Sequence, residues 1–157
     1  VRVRAQSTLH PTESTGAGLS GEVFGDIADL SSTAGGSVVV PVTKQSFGKR
    51  LQDFAMQKHL DAKRWPEVRF EIGAVQVLST DPWRVSIEGT VHYKKTTNIT
   101  VEASGELGEG RIEARATFPL SLSSVGVKPP QMLFLKVDDT VEVEVLIVAE
   151  ASGTRPA

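Results

Sequence analysis

Three histidines, scattered serines and aspartates, and a complete absence of cysteine set the chemistry this sequence can carry. Disulfides, thiolate metal sites and cysteine catalysis are excluded. His10, His59 and His92 are too few and too dispersed for a histidine-rich metal site. His92 falls on a polar strand face, where a solvated imidazole is expected. His59 is a candidate for closing a mouth or meeting a ligand headgroup. Serine, histidine and aspartate all occur, but no Gly-X-Ser-X-Gly elbow raises a nucleophile and no glycine loop cradles a phosphate. Residues 105–110, Gly-Glu-Leu-Gly-Glu-Gly, only imitate such a loop. They join two strands and open no helix, so they read as a hairpin turn. Asp138-Asp139 beside Lys136 reads as turn chemistry. Asn98-Ile99-Thr100 fits a glycosylation sequon, which matters only in a eukaryotic secretory setting. These residues point away from catalysis and call for no metal or cofactor.

What remains is apolar chemistry, and period-two alternation organises it. Trp83, Val85, Ile87, Gly89, Val91 and Tyr93 alternate with Arg84, Ser86, Glu88, Thr90 and His92. Ile112, Ala114, Ala116, Phe118, Leu120 and Leu122 alternate with Arg111, Glu113, Arg115 and Thr117. The same pattern runs through Val68, Phe70 and Ile72, through Ile99, Val101 and Ala103, and through Val141, Val143, Val145 and Ile147. Further strands are expected at residues 1–7, 19–27 and 36–42. That makes about eight strands, with turn-like breaks at Gly73, Asp81-Pro82, residues 108–110 and Asp138-Asp139. One wet face per strand argues for antiparallel pairing, since parallel strands buried on both faces read as continuous apolar runs. Closure into a barrel removes the exposed edges.

One segment departs from alternation. Residues 48–63 are rich in helix formers and lack proline. Ser46 is the expected cap, and Pro66 stops any continuation. This helix, between the third and fourth strands, brings Phe54 and Met56 near a presumed mouth. It is either a lid over a ligand or a plug for one end.

An eight-stranded barrel is near the size at which side chains either fill the interior or leave room for one small ligand. Gly89, Ala103, Ala114 and Ala116 are small and expected to point inward. They leave room for a channel lined by Val85, Ile87, Val101, Ile112 and Phe118, with Phe70 on the fourth strand. Small inward residues also occur where strands bend or pack closely, so a filled core stays open as the alternative. In that case the barrel is a non-catalytic interaction module, with Trp83, Tyr93 and the loop over residues 125–132 as the partner surface.

The order of strands and helix resembles the YceI-like family of lipocalin-like proteins. The match rests on Asp53, Met56, Leu60, Trp65-Pro66 and Phe70, then on Val85-Ser86-Ile87-Glu88-Gly89-Thr90-Val91-His92-Tyr93. It continues through Phe118-Pro119-Leu120-Ser121-Leu122-Ser123-Ser124-Val125-Gly126-Val127, Pro129-Pro130, Leu133 and residues 137–141. Three departures stand out: Leu51 after Arg50 where the family often has Arg-Asp, Tyr93 where a glycine follows the histidine, and Val125 where a phenylalanine precedes the glycine. The resemblance implies an all-β fold, an eight-stranded antiparallel lipocalin-like barrel with one short helix between strands 3 and 4. It would span residues 1–151, with a flexible tail at 152–157. The implied ligand is a long amphiphile held inside: a polyisoprenoid, an isoprenoid quinone or a fatty-acid-like lipid. The resemblance also implies a bacterial chain exported to the periplasm, with the cytoplasm as the alternative.

Composition agrees with such a domain. The 157 residues suffice for one sizeable core. A formal net charge of -2, with basic residues scattered, gives no footprint for nucleic acid. No stretch approaches the ~18 apolar residues of a transmembrane helix. A lipid is the expected partner, and a homodimer is compatible with the sequence.

Overall fold

The computed structural model describes residues 1–7, 12–25, 29–108, 111–129, 131–132 and 135–150. Among the described residues ten strands form: β1 (Arg2–Ser7), β2 (Thr12–Thr15), β3 (Ser20–Phe24), β4 (Gly35–Pro41), β5 (Glu67–Thr80), β6 (Trp83–His92), β7 (Thr96–Gly108), β8 (Arg111–Ser121), β9 (Gln131–Met132) and β10 (Leu135–Glu150). A single helical turn, α1 (Leu30–Thr33), precedes β4, and α2 (Arg50–Leu60) joins β4 to β5. All pairings are antiparallel, in the order β2-β1-β10-β8-β7-β6-β5-β4-β3, with β9 beside β10. His10, the 152–157 tail, residues 109–110 of the expected hairpin turn, and Pro130 and Leu133 of the family match lie outside the described residues.

The sheet curls into a half-barrel. Nine strands follow one another in the ladder where alternation marks eight. The addition is β2, Thr-Glu-Ser-Thr, which has no apolar residue to reveal it. Among the described residues β2 and β3 share no ladder. Thr15 instead bridges to Ser46, beyond the end of β4, through N–H···O bonds of 2.9 and 2.8 Å.

Two expected breaks are corrected. Gly73 does not end a strand. It is the extra residue of a bulge in β5, where Ile72 pairs with Gly89 and Ala74 with Glu88. A bulge of one residue flips the phase of alternation, so inward positions pass from Val68, Phe70 and Ile72 to Val75 and Val77. Asp138-Asp139 likewise lies inside β10, not at a turn. Asp139 clamps the chain after β8: its carboxylate accepts the Ser121 and Ser123 hydroxyls at 2.6 and 2.9 Å and the Ser123 N–H at 2.9 Å. These bonds, the Ser121 hydroxyl first, hold the Asp139 carboxyl below its ordinary pKa. Residues 31–36 contribute most of α1 and the start of β4.

Helix α2 is shorter than its composition suggests. Asp61 adopts a left-handed conformation at φ 54°, and the Ala62 N–H returns to the Gln57 carbonyl, closing the helix well before Pro66. Ser46 is not its cap. Its hydroxyl donates to Asp53 at 2.5 Å and accepts the Gly48 N–H at 3.0 Å, while Lys49 occupies the cap position. Among the described residues no helix is long and apolar enough to cross a membrane.

The best-buried cluster, Val91, Val125 and Val127, sits at one end of the sheet. Leu60, Val68, Phe70, Tyr93, Ile99, Leu120 and Leu122 pack around it. Each such valine contributes roughly 1.5–3 kcal/mol of burial. A short 3-10 turn over Ser123–Val125 brings Val125 there, and the Val125 carbonyl accepts the Lys95 N–H at 3.1 Å.

Candidate functional site

Residues paired across antiparallel strands stand side by side on one face, so register maps the concave surface row by row. Val77, Val85, Ala103, Ala116 and Val145 form a continuous row across β5, β6, β7, β8 and β10. Thr80, Trp83, Gly105, Ala114 and Ile147 form the next row outward. On the other side Val75, Ile87 and Val101 align, and Phe118 pairs with Val143, which pairs with Val3. Ile112 pairs with Ala149.

The register brings Ala103, Gly105, Ala114 and Ala116 together as a patch of small residues, two on β7 and two on β8. The wall around it is apolar and incompletely covered. Val85, Ile87, Ile112, Ala114, Ala116 and Phe118 are half-buried, while Val101 and Ala103 are buried. Among the described residues no large side chain is fully buried, as a filled barrel of this size would require. The sheet therefore has a packed end around Val125 and an open apolar trough beyond it.

Three expected ligand contacts lie outside these rows of the register. Phe70 belongs to the packed end, with its ring lying over Gly89. Gly89 is small because Phe70 fills its space, not because it opens a channel. Phe54 is 70% exposed, on a side of α2 that faces solvent. Met56 is half-buried on the opposite side of that helix. The trough's other members, Val75, Val77, Trp83, Gly105, Val145 and Ile147, come from the register. The bulge hides the first two. The alternation in β10 does signal Val145 and Ile147.

The expected partner surface is largely spent on the fold. Val125 and Val127 are buried at 4 and 5%. Trp83 stands on the inner face opposite Gly105. Tyr93 is half-buried, and its hydroxyl donates to the Trp65 carbonyl at 2.9 Å, with the Leu60 carbonyl at 3.2 Å. Its ring meets Trp65 edge-on at 6.4 Å, and the Arg64 guanidinium lies 5.8 Å from the Trp65 ring centre.

Burial, reinforced by the Asp61 carboxylate, pushes the Tyr93 phenol from 10.0 up to about 12. A group whose folded pKa is raised contributes stability below its unfolded pKa and loses it as pH rises through the folded value. Stability should therefore decline between about pH 10 and 12, and Tyr93→Phe should remove that part of the decline. Tyr93 is the one tyrosine in the chain, so absorbance of the phenolate at alkaline pH, read beside thermal melts, follows this group alone. A phenolate appearing near its ordinary pKa in the folded protein would contradict the assignment.

Both described histidines face protein groups. His59 Nε2 lies 2.6 Å from the Lys128 carbonyl. A carbonyl only accepts, so Nε2 carries a proton. His92 Nε2 faces Glu71 at 3.3 Å on the outer surface but makes no hydrogen bond among the described residues. Among these residues no three metal-ligating side chains cluster.

The convex surface differs in kind. Arg2 and Arg4 pair with Glu13, Glu142 and Glu144 across β2, β1 and β10, and Arg84 pairs with Glu102. A recess of about 590 Å³ opens beside Arg4, Thr117, Pro119, Thr140 and Glu142, flanked by Phe118 and Val141. Its charged rim suits it poorly to an apolar chain.

Comparisons with known proteins agree with this architecture. A family model described as YceI-like domain matches residues 3–149. No curated protein matches. The fold is similar to BcnA of Burkholderia cenocepacia, at 19% identity and a TM-score of 0.79 over 94% of this chain and 95% of that one. It is similar to the Campylobacter jejuni YCEI protein, at 14% identity and a TM-score of 0.73 over 88% and 84%. A third structure, a polyisoprenoid binding domain from Saccharophagus degradans implicated in plant cell wall breakdown, aligns at 11% identity and a TM-score of 0.69 over 96% and 94%.

Proposed function

The chain belongs to the YceI-like domain family, and from that premise we propose that it binds and carries a long apolar amphiphile along its concave face, as a binding protein rather than an enzyme. The candidate ligands are a polyisoprenoid, an isoprenoid quinone or a fatty-acid-like lipid. One observation carries the reading: the apolar row from Val77 to Val145 runs over the small patch of Ala103, Gly105, Ala114 and Ala116 and stays incompletely covered. An apolar surface left open inside a curled sheet is stabilised by a ligand that covers it. The polyisoprenoid binding domain of Saccharophagus degradans supports the same ligand class. Export to the periplasm belongs to the same proposal, and fractionation of the native cells tests it.

Burial of a hydrocarbon chain yields about 0.8 kcal/mol per methylene. Affinity should therefore climb with chain length, without a specific polar contact. Trp83 stands beside the small patch, and the only other tryptophan is Trp65. Trp65→Phe thus leaves Trp83 as sole reporter. Titration of that variant with geraniol, farnesol and geranylgeraniol should change Trp83 emission. Affinity should improve at least about tenfold per added prenyl unit until the trough is full. Unchanged emission across the series would overturn the proposal.

A further inference from the structure

Helix α2 keeps its most apolar side in water. At 3.6 residues per turn, Leu51, Phe54, Ala55 and Lys58 share one side. All four are exposed, Leu51 at 85% and Phe54 at 70%. The opposite side, Asp53, Met56, Gln57 and Leu60, is half-buried.

The rotation of the helix is fixed by hydrogen bonds. Gln57 Nε2 donates to the Val42 carbonyl at 3.1 Å. Asp53 accepts the Ser46 hydroxyl and the Phe47 N–H at 2.5 and 2.7 Å. The exposed Leu51 and Phe54 are therefore a built feature of the folded chain.

Charge around them is of one sign. Lys49, Arg50 and Lys58 are exposed at the border of the stripe. Among the described residues none of the three pairs with a carboxylate. Between residues 44 and 64 stand Lys44, Lys49, Arg50, Lys58, Lys63 and Arg64 against only Asp53 and Asp61, in a chain whose formal net charge is -2.

We propose that this face of α2 docks on the headgroup layer of an anionic lipid bilayer. Leu51 and Phe54 enter the interface, while Lys49, Arg50 and Lys58 meet lipid phosphates. Charge complementarity selects this partner. Two copies joined through this face would set one cation ring against another, at a cost in repulsion. A helix this short, with two large apolar side chains, gives reversible attachment. Docking does not depend on whether the concave face is occupied.

Co-sedimentation of the purified chain with vesicles tests it. The chain should pellet with vesicles of equal parts phosphatidylcholine and phosphatidylglycerol, and not with phosphatidylcholine alone. Salt should release it. Leu51→Ser with Phe54→Ser should weaken binding at least about tenfold. Lys49→Gln with Arg50→Gln should weaken it roughly 25-fold, about fivefold per cation. These positions are exposed, so unchanged thermal melts would verify that the variants fold. Wild-type chain that ignores the anionic vesicles overturns the proposal, as does a Leu51→Ser, Phe54→Ser variant that binds them equally well. Sedimentation velocity without vesicles covers the other occupant. A dimer that this double variant dissolves, with no vesicle binding, would assign the face to a second copy and overturn the lipid docking.

Discussion

Ala116→Trp should weaken binding of the amphiphile about two-hundredfold while the sheet still folds. Ala116 stands in the concave row between Ala103 on β7 and Val145 on β10. An indole there covers the small patch and excludes about four methylenes of any ligand, at about 0.8 kcal/mol each. The expected loss is about 3 kcal/mol, or about two-hundredfold in affinity. Ala103→Phe should act in the same direction. Folding should survive because the new ring enters an open trough. Affinity and thermal melts on the same sample separate the outcomes. Retained binding in a well-folded variant would place the ligand elsewhere. A collapse of stability would mean that the space was already filled.

Gly89→Ala should lower stability, through the packed end. A Cβ at Gly89 would lie 2.4 Å from Phe70 Cζ and 2.4 Å from the Glu71 carbonyl oxygen. The ring belongs to the shell around Val91, Val125 and Val127, and the carbonyl belongs to the β5 ladder. Overpacking of this kind costs about 2 kcal/mol, a fall of about 4–8 °C in Tm. Adding Phe70→Leu should recover part of the loss, since the ring can shrink but the carbonyl cannot move. Gly105→Ala is the control: its nearest contact would be the Glu113 carbonyl oxygen at 3.0 Å. Equal melting temperatures for Gly89→Ala and wild type would show that the clash at Phe70 is easily relieved.

Most strands were legible because alternation with a polar outer face is a local property. Trp83 to His92 and Arg111 to Ser121 read directly from side-chain order. Legibility failed where local and long-range order part. The phase flip at Gly73 hides Val75 and Val77 from a reader following even-numbered positions. Thr12–Thr15 becomes a strand through pairing with Arg2 to Ala5, not through its own apolar content. Asp138-Asp139 carries turn residues inside a strand because Asp139 serves the neighbouring Ser121 and Ser123.

The candidate site divides along the same line. Ala103 and Ala116 each read as small and inward, but their adjacency is a fact of register. Gly89 read identically, yet Phe70 covers it, and only cross-strand packing separates the two cases. Phe54 shows the limit of spacing arguments on a helix. Periodicity finds a shared side, but Asp53 and Gln57 decide which side turns inward. The departures from the family pattern at Leu51 and Val125 have structural consequences too. Leu51 joins Phe54 in the exposed stripe, and Val125 supplies the packed end with a buried aliphatic side chain.

Native mass spectrometry of the freshly purified chain, followed by solvent extraction of the same sample, tests the central claim most directly. An occupied trough predicts a mass above that of the bare chain, with the excess recovered as an isoprenoid or other long-chain amphiphile and reduced in Ala116→Trp. A bare chain that also stays bare after incubation with geranylgeraniol and isoprenoid quinone would contradict an amphiphile-binding trough.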